Sequence, residues 1–128
     1  MAQDLLNEAL TVIRNAERAG KTECTTPASE LIKDVLLVMQ KNGYIGNFER
    51  MDDKKSGRFK IELMMKINDC GAISPRFSIS LKKMEKKEIV YLPAKDFGIL
   101  VLSTSKGVMD QKEAKSKKIG GKLISFVY

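Results

Sequence analysis

The chain has 128 residues, of which 43% are hydrophobic and 30% are charged, a composition that fits one globular domain or two very small ones and excludes a disordered tail. It has no histidine and only two isolated cysteines, Cys24 and Cys70, which excludes Cys/His zinc sites and histidine-based catalysis and predicts two small, half-buried apolar thiols. No run nears the roughly 18 consecutive apolar residues of a membrane helix. We therefore expect a soluble, cytoplasmic protein with no membrane partner.

Two helices are predicted in the first part of the chain. Apolar residues at helical spacing predict one helix from an N-cap at Asp4 to a stop at Gly20. A second helix should begin with Thr26 as N-cap and Pro27 in its first turn and end at Gly43. Between them, residues 23–25 leave room for only a short strand.

Two strands follow. Residues 44–51 and 58–67 have apolar residues at strand spacing, which is clearest in the second segment, where one face is apolar and the other mostly polar. The polar residues between them read as a turn, and the adjacent Asp52 and Asp53 are better explained by that turn than by a carboxylate pair, because neighbouring side chains point apart. We expect two helices to cover the apolar side of a small antiparallel sheet.

A polar turn at residues 68–71 is the expected boundary between two small domains. It separates an N-terminal α/β domain, residues 1–67, from a C-terminal β-rich domain, residues 68–128, to which the charge and the motifs described below assign RNA binding. The predicted fold class is α+β, with a mostly antiparallel second domain that contains one short helix.

The second domain should begin with a strand over residues 77–81. The charged residues 82–88 are expected to form a loop or a single helical turn, and residues 89–92 a short apolar segment. The nearly continuous apolar run at residues 97–102 predicts a central strand that is buried on both faces.

A helix over residues 111–118 is predicted from the capping-box spacing of Asp110 and Glu113. Gly120 and Gly121 are expected to end it, and residues 123–128 should form a terminal strand. The second glycine also permits close packing against a neighbour or a phosphate, and we expect packing to be its main role.

The net charge of +7 is unevenly distributed. Residues 1–66 carry 11 Lys/Arg and 10 Asp/Glu, whereas residues 67–128 carry 12 and 6. A charge that served only solubility has no reason to concentrate in one half, whereas a binding surface for a polyanion does. On charge alone, a merely solvated lysine-rich surface stays open as the alternative.

Hydroxyl side chains follow directly after the predicted central strand, at Ser103, Thr104 and Ser105. Each hydroxyl can donate to and accept from a base edge, a 2′-OH or a phosphate. The alternative is an ordinary turn in which these hydroxyls cap local backbone groups. The glycine at position 107 and the basic helix beyond it favour an RNA contact.

Five lysines of this segment are candidates for phosphate contact: Lys106, Lys112, Lys115, Lys118 and Lys122. Lysines near a helix C-terminus also complement the helix dipole, and both explanations can hold together. On the first helix, Arg14 and Asn15 could offer a guanidinium and an amide to RNA. The alternative, which explains them nearly as well, is that the solvent-facing side of a helix ordinarily carries polar residues.

Catalysis has little support in the sequence. The serines of the segment have no histidine base, and no carboxylate cluster has metal-ligand spacing. A nuclease or an acyl-transfer enzyme is the remaining alternative from another class, and we expect neither a metal nor a cofactor.

Ordered motifs lie along essentially the whole chain, at Ile13–Ala16, Gly43–Gly46, Gly71–Phe77, Ser103–Met109, Glu113–Ala114 and Gly120–Gly121. Together these segments resemble one family, the universal small-subunit ribosomal protein eight family, in its archaeal and eukaryotic-like branch. Lys122 departs from the bacterial members, which usually carry Glu after the glycine pair.

The resemblance implies a structural constituent of the small ribosomal subunit. Such a protein binds a helix in the central domain of small-subunit rRNA, promotes assembly, and contacts neighbouring ribosomal proteins. We expect it in the cytoplasmic ribosome and as a monomer when free. A repressor that binds its own mRNA is the alternative function.

The resemblance also implies roles for particular residues. It places Ser103, Thr104, Ser105, Lys106 and Gly107 in contact with rRNA, with Arg14 and Asn15 as a weaker patch. The residues implied in support of the loop are Met109, Glu113, Gly120 and Gly121.

Overall fold

A computed structural model describes residues 5–51, 57–73, 76–94 and 97–128. The chain divides into two compact units, Met1–Cys70 and Gly71–Tyr128. Helices and antiparallel sheets confirm the predicted α+β class. Among the described residues, no helix is long and apolar enough to cross a membrane.

The first helix, α1 (Leu5–Arg18), follows the predicted apolar spacing. Its buried face consists of Leu6, Ala9, Leu10, Ile13 and Ala16. Leu5, which belongs to the same apolar pattern, is exposed. The predicted N-cap, Asp4, lies outside the described residues.

The second helix, α2 (Glu30–Lys41), begins later than predicted. Its N-cap is Ser29, whose hydroxyl accepts a hydrogen bond from the backbone N–H of Ile32 at 3.2 Å. The prediction that Thr26 and Pro27 open this helix is wrong, because both belong to an edge strand. Proline, which has no N–H to donate, is tolerated there.

The N-terminal unit contains a three-stranded antiparallel sheet in the order β1-β3-β2. Its strands are β1 (Glu23–Pro27), β2 (Ile45–Met51) and β3 (Arg58–Leu63). Phe59, Ile61 and Leu63 form the buried face of the central strand, as the alternation predicts. The predicted turn at Asp52 and Asp53 lies outside the described residues.

Strand β3 ends four residues earlier than predicted. Met65 has a left-handed backbone with φ 58°, which breaks the extended conformation. The carboxylate of Glu17 accepts hydrogen bonds from the backbone N–H groups of Met65 at 3.3 Å and Ile67 at 2.9 Å. A side chain from α1 therefore takes the place of a neighbouring strand.

Both cysteines are thiols shielded from water. Cys70 is buried, and its Sγ donates a hydrogen bond to the carbonyl of Leu10 at 3.4 Å. Cys24 is half-buried. Burial raises the pKa of the Cys24 thiol to about 11 and that of the Cys70 thiol to about 12, so both are neutral at physiological pH.

The C-terminal sheet has five strands, with the path β4-β8-β6-β7 and β5 paired to β8. Their bounds are β4 (Cys70–Ala72), β5 (Ser78–Ile79), β6 (Ile99–Thr104), β7 (Gly107–Asp110) and β8 (Gly121–Val127). In β6 the residues from Ile99 to Leu102 are each at most 2% exposed, which confirms that the centre of the predicted strand is buried on both faces. The predicted bounds, residues 97–102, are wrong by two residues at each end, because Phe97 is exposed and precedes the strand, which continues to Thr104.

Two helices, rather than the predicted one, lie in the described part of this unit: α3 (Leu81–Tyr91) and α4 (Gln111–Lys117). The prediction of a strand to Leu81 and a charged connector beyond it is wrong. Leu81, Met84 and Tyr91 have helical spacing and pack in the apolar core of the unit, where Met84 is fully buried. The lysines between these residues obscured that period in the sequence.

Candidate nucleic-acid interface

A tight hairpin projects the candidate recognition residues from the buried strand β6. Strands β6 and β7 pair up to Thr104 and Gly107, which leaves Ser105 and Lys106 as an exposed two-residue turn. Gly107 has φ 115°, and no atom outside its chain neighbours lies within 4 Å of the position that a Cβ would take. Its backbone is therefore open to close approach by a ligand.

The three hydroxyls of this hairpin have different roles. Thr104 Oγ1 donates to the carbonyl of Gly107 at 2.7 Å and accepts from the backbone N–H of Lys106 at 3.1 Å. Thr104 thus fits the local-turn alternative. Within the described part of the chain, the hydroxyls of Ser103 and Ser105 have no hydrogen-bond partner, so both remain available to a ligand.

A row of polar side chains crosses the sheet beside this turn. Ser103 of β6 is paired with Lys122 of β8, which is paired in turn with Ser78 of β5. Side chains directly opposite each other in antiparallel strands share a face and lie about 5 Å apart at Cβ. The register therefore places a lysine between two serines, next to the exposed hairpin.

The glycine pair packs closely against the backbone on both sides. A Cβ at Gly121 would lie 2.5 Å from the carbonyl oxygen of Ser103, and a Cβ at Gly120 would lie 2.5 Å from that of Ile79. The prediction that these glycines end α4 is wrong. The helix ends at Lys117, and Lys118 takes the left-handed conformation with φ 58°.

Helix α4 begins as its capping pattern predicts. The carboxylate of Asp110 accepts a hydrogen bond from the backbone N–H of Glu113 at 2.8 Å. Met109 is buried in the core below the hairpin. These contacts fix the direction in which the basic helix leaves β7.

Gln111 supports the site in a way that the sequence reasoning missed. Its side chain is buried, its Oε1 accepts from the backbone N–H of Leu100 at 2.8 Å, and its Nε2 donates to the carbonyl of Gly98 at 3.4 Å. These bonds fasten the first turn of α4 to β6. Only its position directly after the N-cap Asp110 distinguished it in the sequence.

The candidate lysines differ in how available they are. Lys106, Lys112, Lys118 and Lys122 are exposed and have no ion pair with any described residue. Lys115, by contrast, forms a short ion pair with Glu88 of α3, whose side chain is only 15% exposed. Lys115 therefore has a partner within the protein and is a weaker candidate for phosphate contact than the other four.

The two candidates on α1 belong to the N-terminal unit. Arg14 Nη1 lies 4.0 Å from Asp69 Oδ1, and Arg18 Nη2 lies 3.8 Å from the same oxygen. The guanidinium of Arg14 is therefore engaged by an acidic partner. Asn15 is exposed.

The described side chains offer a surface for a polyanion rather than a metal centre. Among residues 5–51, 57–73, 76–94 and 97–128, no group of three or more Cys, Asp or Glu side chains could hold a metal ion. The exposed hairpin, the row across the sheet and the lysines of α4 combine hydroxyl donors with positive charge. Such a surface can contact phosphate and ribose groups.

Comparison with known proteins gives full-length matches. A family model described as Ribosomal protein S8 matches residues 4–128. The small ribosomal subunit protein uS8 of Methanococcoides burtonii is 52% identical over 126 residues, which cover 98% of this chain and 97% of the relative. The uS8 protein of Archaeoglobus fulgidus is 50% identical over 129 aligned residues, and this alignment covers 100% of this chain and 100% of the relative.

Proposed function

The chain belongs to the ribosomal protein S8 family, and on that premise we propose that its C-terminal unit binds small-subunit rRNA directly and promotes subunit assembly. The family is structural and non-enzymatic, so the chain is a ribosomal protein of the small subunit and not an enzyme. Its place is the cytoplasmic ribosome. The proposed RNA site is a helix in the central domain of the rRNA.

One observation carries the proposal. The exposed turn at Ser105 and Lys106 is mounted on strand β6, which is buried from Ile99 to Leu102, and lies beside the paired Ser103 and Lys122. A rigid mounting limits the conformational entropy that the turn loses on binding. Hydroxyls and a cation at the end of a core strand suit an irregular RNA helix, which proteins recognise by shape and by 2′-OH and phosphate contacts.

Recognition and affinity are assigned to different residues. Ser103, Ser105 and the open backbone of Gly107 would recognise the RNA, because hydroxyl and backbone contacts depend on its local shape. The exposed lysines at positions 106, 112, 118 and 122 would neutralise phosphates, which adds affinity without sequence preference. Thr104 would act indirectly by holding the turn.

Replacing Ser105 by Ala tests the recognition role. It removes one hydroxyl without removing a charge or a hydrogen bond to any residue that the structure describes. We expect a loss of about 1 kcal/mol of specific binding free energy, roughly fivefold in Kd, with an unchanged salt dependence. Filter binding to a transcript of the central-domain helix and to a scrambled transcript, over a series of salt concentrations, measures both quantities.

Ser116→Ala is the matched control, because Ser116 is an exposed serine on α4. It should bind both transcripts as the unsubstituted protein does. If Ser105→Ala kept the full preference for the central-domain helix, the assignment of the turn to recognition would be wrong.

Binding to the protein's own mRNA is the second candidate, and it would use the same surface. An mRNA segment that mimics the rRNA helix would present the same phosphates and hydroxyl contacts. Ribosome fractionation distinguishes the two functions, because an assembled ribosomal protein sediments with the small subunit. A protein found only in the unbound fractions would favour the repressor.

We also propose contacts with neighbouring small-subunit proteins and a monomeric state when free.

A further inference from the structure

We propose that α3 contributes a second phosphate-binding surface, formed by Lys82 and Lys83 together with Lys117 and Lys118 at the end of α4. We call these four residues the α3–α4 lysine cluster. The proposal rests on the proposed RNA-binding function and extends it to a helix that the sequence had indicated only as a charged connector.

Two contacts align α3 with the last turn of α4 and the residues that follow it. At one end, Lys115 forms an ion pair with Glu88 in the last turn of α3. At the other, a Cβ at Gly120 would lie 3.3 Å from the Cα of Ser80, the N-cap of α3. The segment 115–120 therefore runs antiparallel to α3, and Lys117 and Lys118 lie between the two contact points.

The cluster is exposed and carries an excess of positive charge. All four lysines are exposed, and none has an ion pair with a residue that the structure describes. Of the two acidic residues in α3, Glu88 is paired with Lys115. The other, Glu85, lines the same cavity as Glu88, Ile89 and Leu92. Positive charge thus remains on the surface where the two segments adjoin.

The stability of the helix does not explain Lys82 and Lys83. They lie in the first turn of α3, which has no acidic residue, and the Ser80 side chain makes no capping hydrogen bond. Cations in a first turn oppose the helix dipole. The dipole can account for Lys117 and Lys118 at the end of α4, but at Lys82 and Lys83 it acts in the opposite direction.

An RNA backbone is the partner that fits this surface. The row formed by Ser103, Lys122 and Ser78 ends on β5, and α3 begins two residues after that strand. Lys122 alternates with the core residue Leu123, so this row lies on the face of the sheet opposite to α3 and α4. The α4 end of the cluster is linked to the hairpin instead by Gly121, which packs against the carbonyl of Ser103. A polyanion with regularly spaced phosphates can engage the cluster and offset the repulsion among the lysines.

The test compares Lys82→Gln/Lys83→Gln with a charge-matched control, Lys33→Gln/Lys66→Gln, whose two lysines are exposed in the N-terminal unit. Filter binding of the full chain to the central-domain helix and to a scrambled transcript gives the slope of log K against log salt. We expect the α3 variant to lower the magnitude of that slope by about 1 to 2 on both transcripts, since each lost phosphate contact removes about 0.7 to 0.9. The control should leave it unchanged.

Thermal unfolding of the same variants separates a structural role from a binding role. The α3 variant should keep its Tm or raise it, because two cations leave the first turn of a helix. A slope that is unchanged on both transcripts, or lowered equally by the control, would overturn the cluster. If the unsubstituted protein did not prefer the central-domain helix to the scrambled transcript, the proposed function would be overturned instead. The slopes of log K against log salt would still show whether the lysines of the cluster contact phosphates.

Discussion

At the scale of single residues, neighbouring side chains of one chemical type have separate tasks. Thr104 closes the hairpin with its hydroxyl, while Ser103 and Ser105 make no such bond within the described structure. Lys115 is paired with Glu88, whereas Lys112 and Lys118 are not paired with any described residue. Residue type alone could not separate these roles, because each depends on which backbone or side-chain atom folding brings within reach.

Gly121 should be sensitive to the smallest possible addition. In Gly121→Ala the new Cβ would meet the Ser103 carbonyl at 2.5 Å, a contact that the backbone of β6 has little freedom to relieve. We expect a loss of about 1 to 3 kcal/mol in the free energy of unfolding and weaker RNA binding, because the strand that carries the hairpin shifts. Denaturant unfolding and filter binding measure the two effects.

Gly107→Ala provides the comparison for that prediction. Its Cβ meets no atom within 4 Å, but φ 115° strains an L-residue. Gly107→Ala should therefore lower the free energy of unfolding through backbone strain alone.

A Gly121→Ala protein as stable as the unsubstituted one would refute the packing role of Gly121.

At the scale of elements, the parts with a strong local signal were predictable. The apolar run of β6 and the capping box of α4 are local in sequence, and both predictions are confirmed. Strand β3 ends early at the point where Glu17, more than forty residues away, binds the backbone of the residues that follow the strand. Helix α3 was missed because its buried face contains few apolar residues among lysines. Contacts between segments that are distant in the sequence determine where β3 ends and that α3 forms, and these contacts cannot be seen in a local pattern of residues.

The cap of α4 can be tested by substituting Asp110. Asp110→Ala removes the acceptor for the Glu113 backbone N–H and should lower the free energy of unfolding by about 0.5 to 2 kcal/mol. Asp110→Asn keeps an acceptor at the same place and should lose less. Urea unfolding of both variants gives the comparison, and equal stability of Asp110→Ala and the unsubstituted protein would show that the cap contributes nothing.

At the scale of the whole molecule, the uneven charge has a structural counterpart. The positive half of the sequence forms the unit that contains the hairpin, the basic helix α4 and the lysines of α3. That this half attracts RNA stays a prediction from the sequence, and the family membership narrows the proposed partner to small-subunit rRNA. The sequence leaves other features of the unit open. It could not predict that α3 adjoins the end of α4, because that arrangement depends on the packing at Gly120.

RNA–protein crosslinking, mapped by residue on the full chain bound to small-subunit rRNA, would show which of the two units contacts the RNA. We expect crosslinks to concentrate in residues 103–122, with a second group in the first turn of α3. Crosslinks concentrated in residues 1–66 would contradict this expectation and would move the RNA-binding surface to the N-terminal unit.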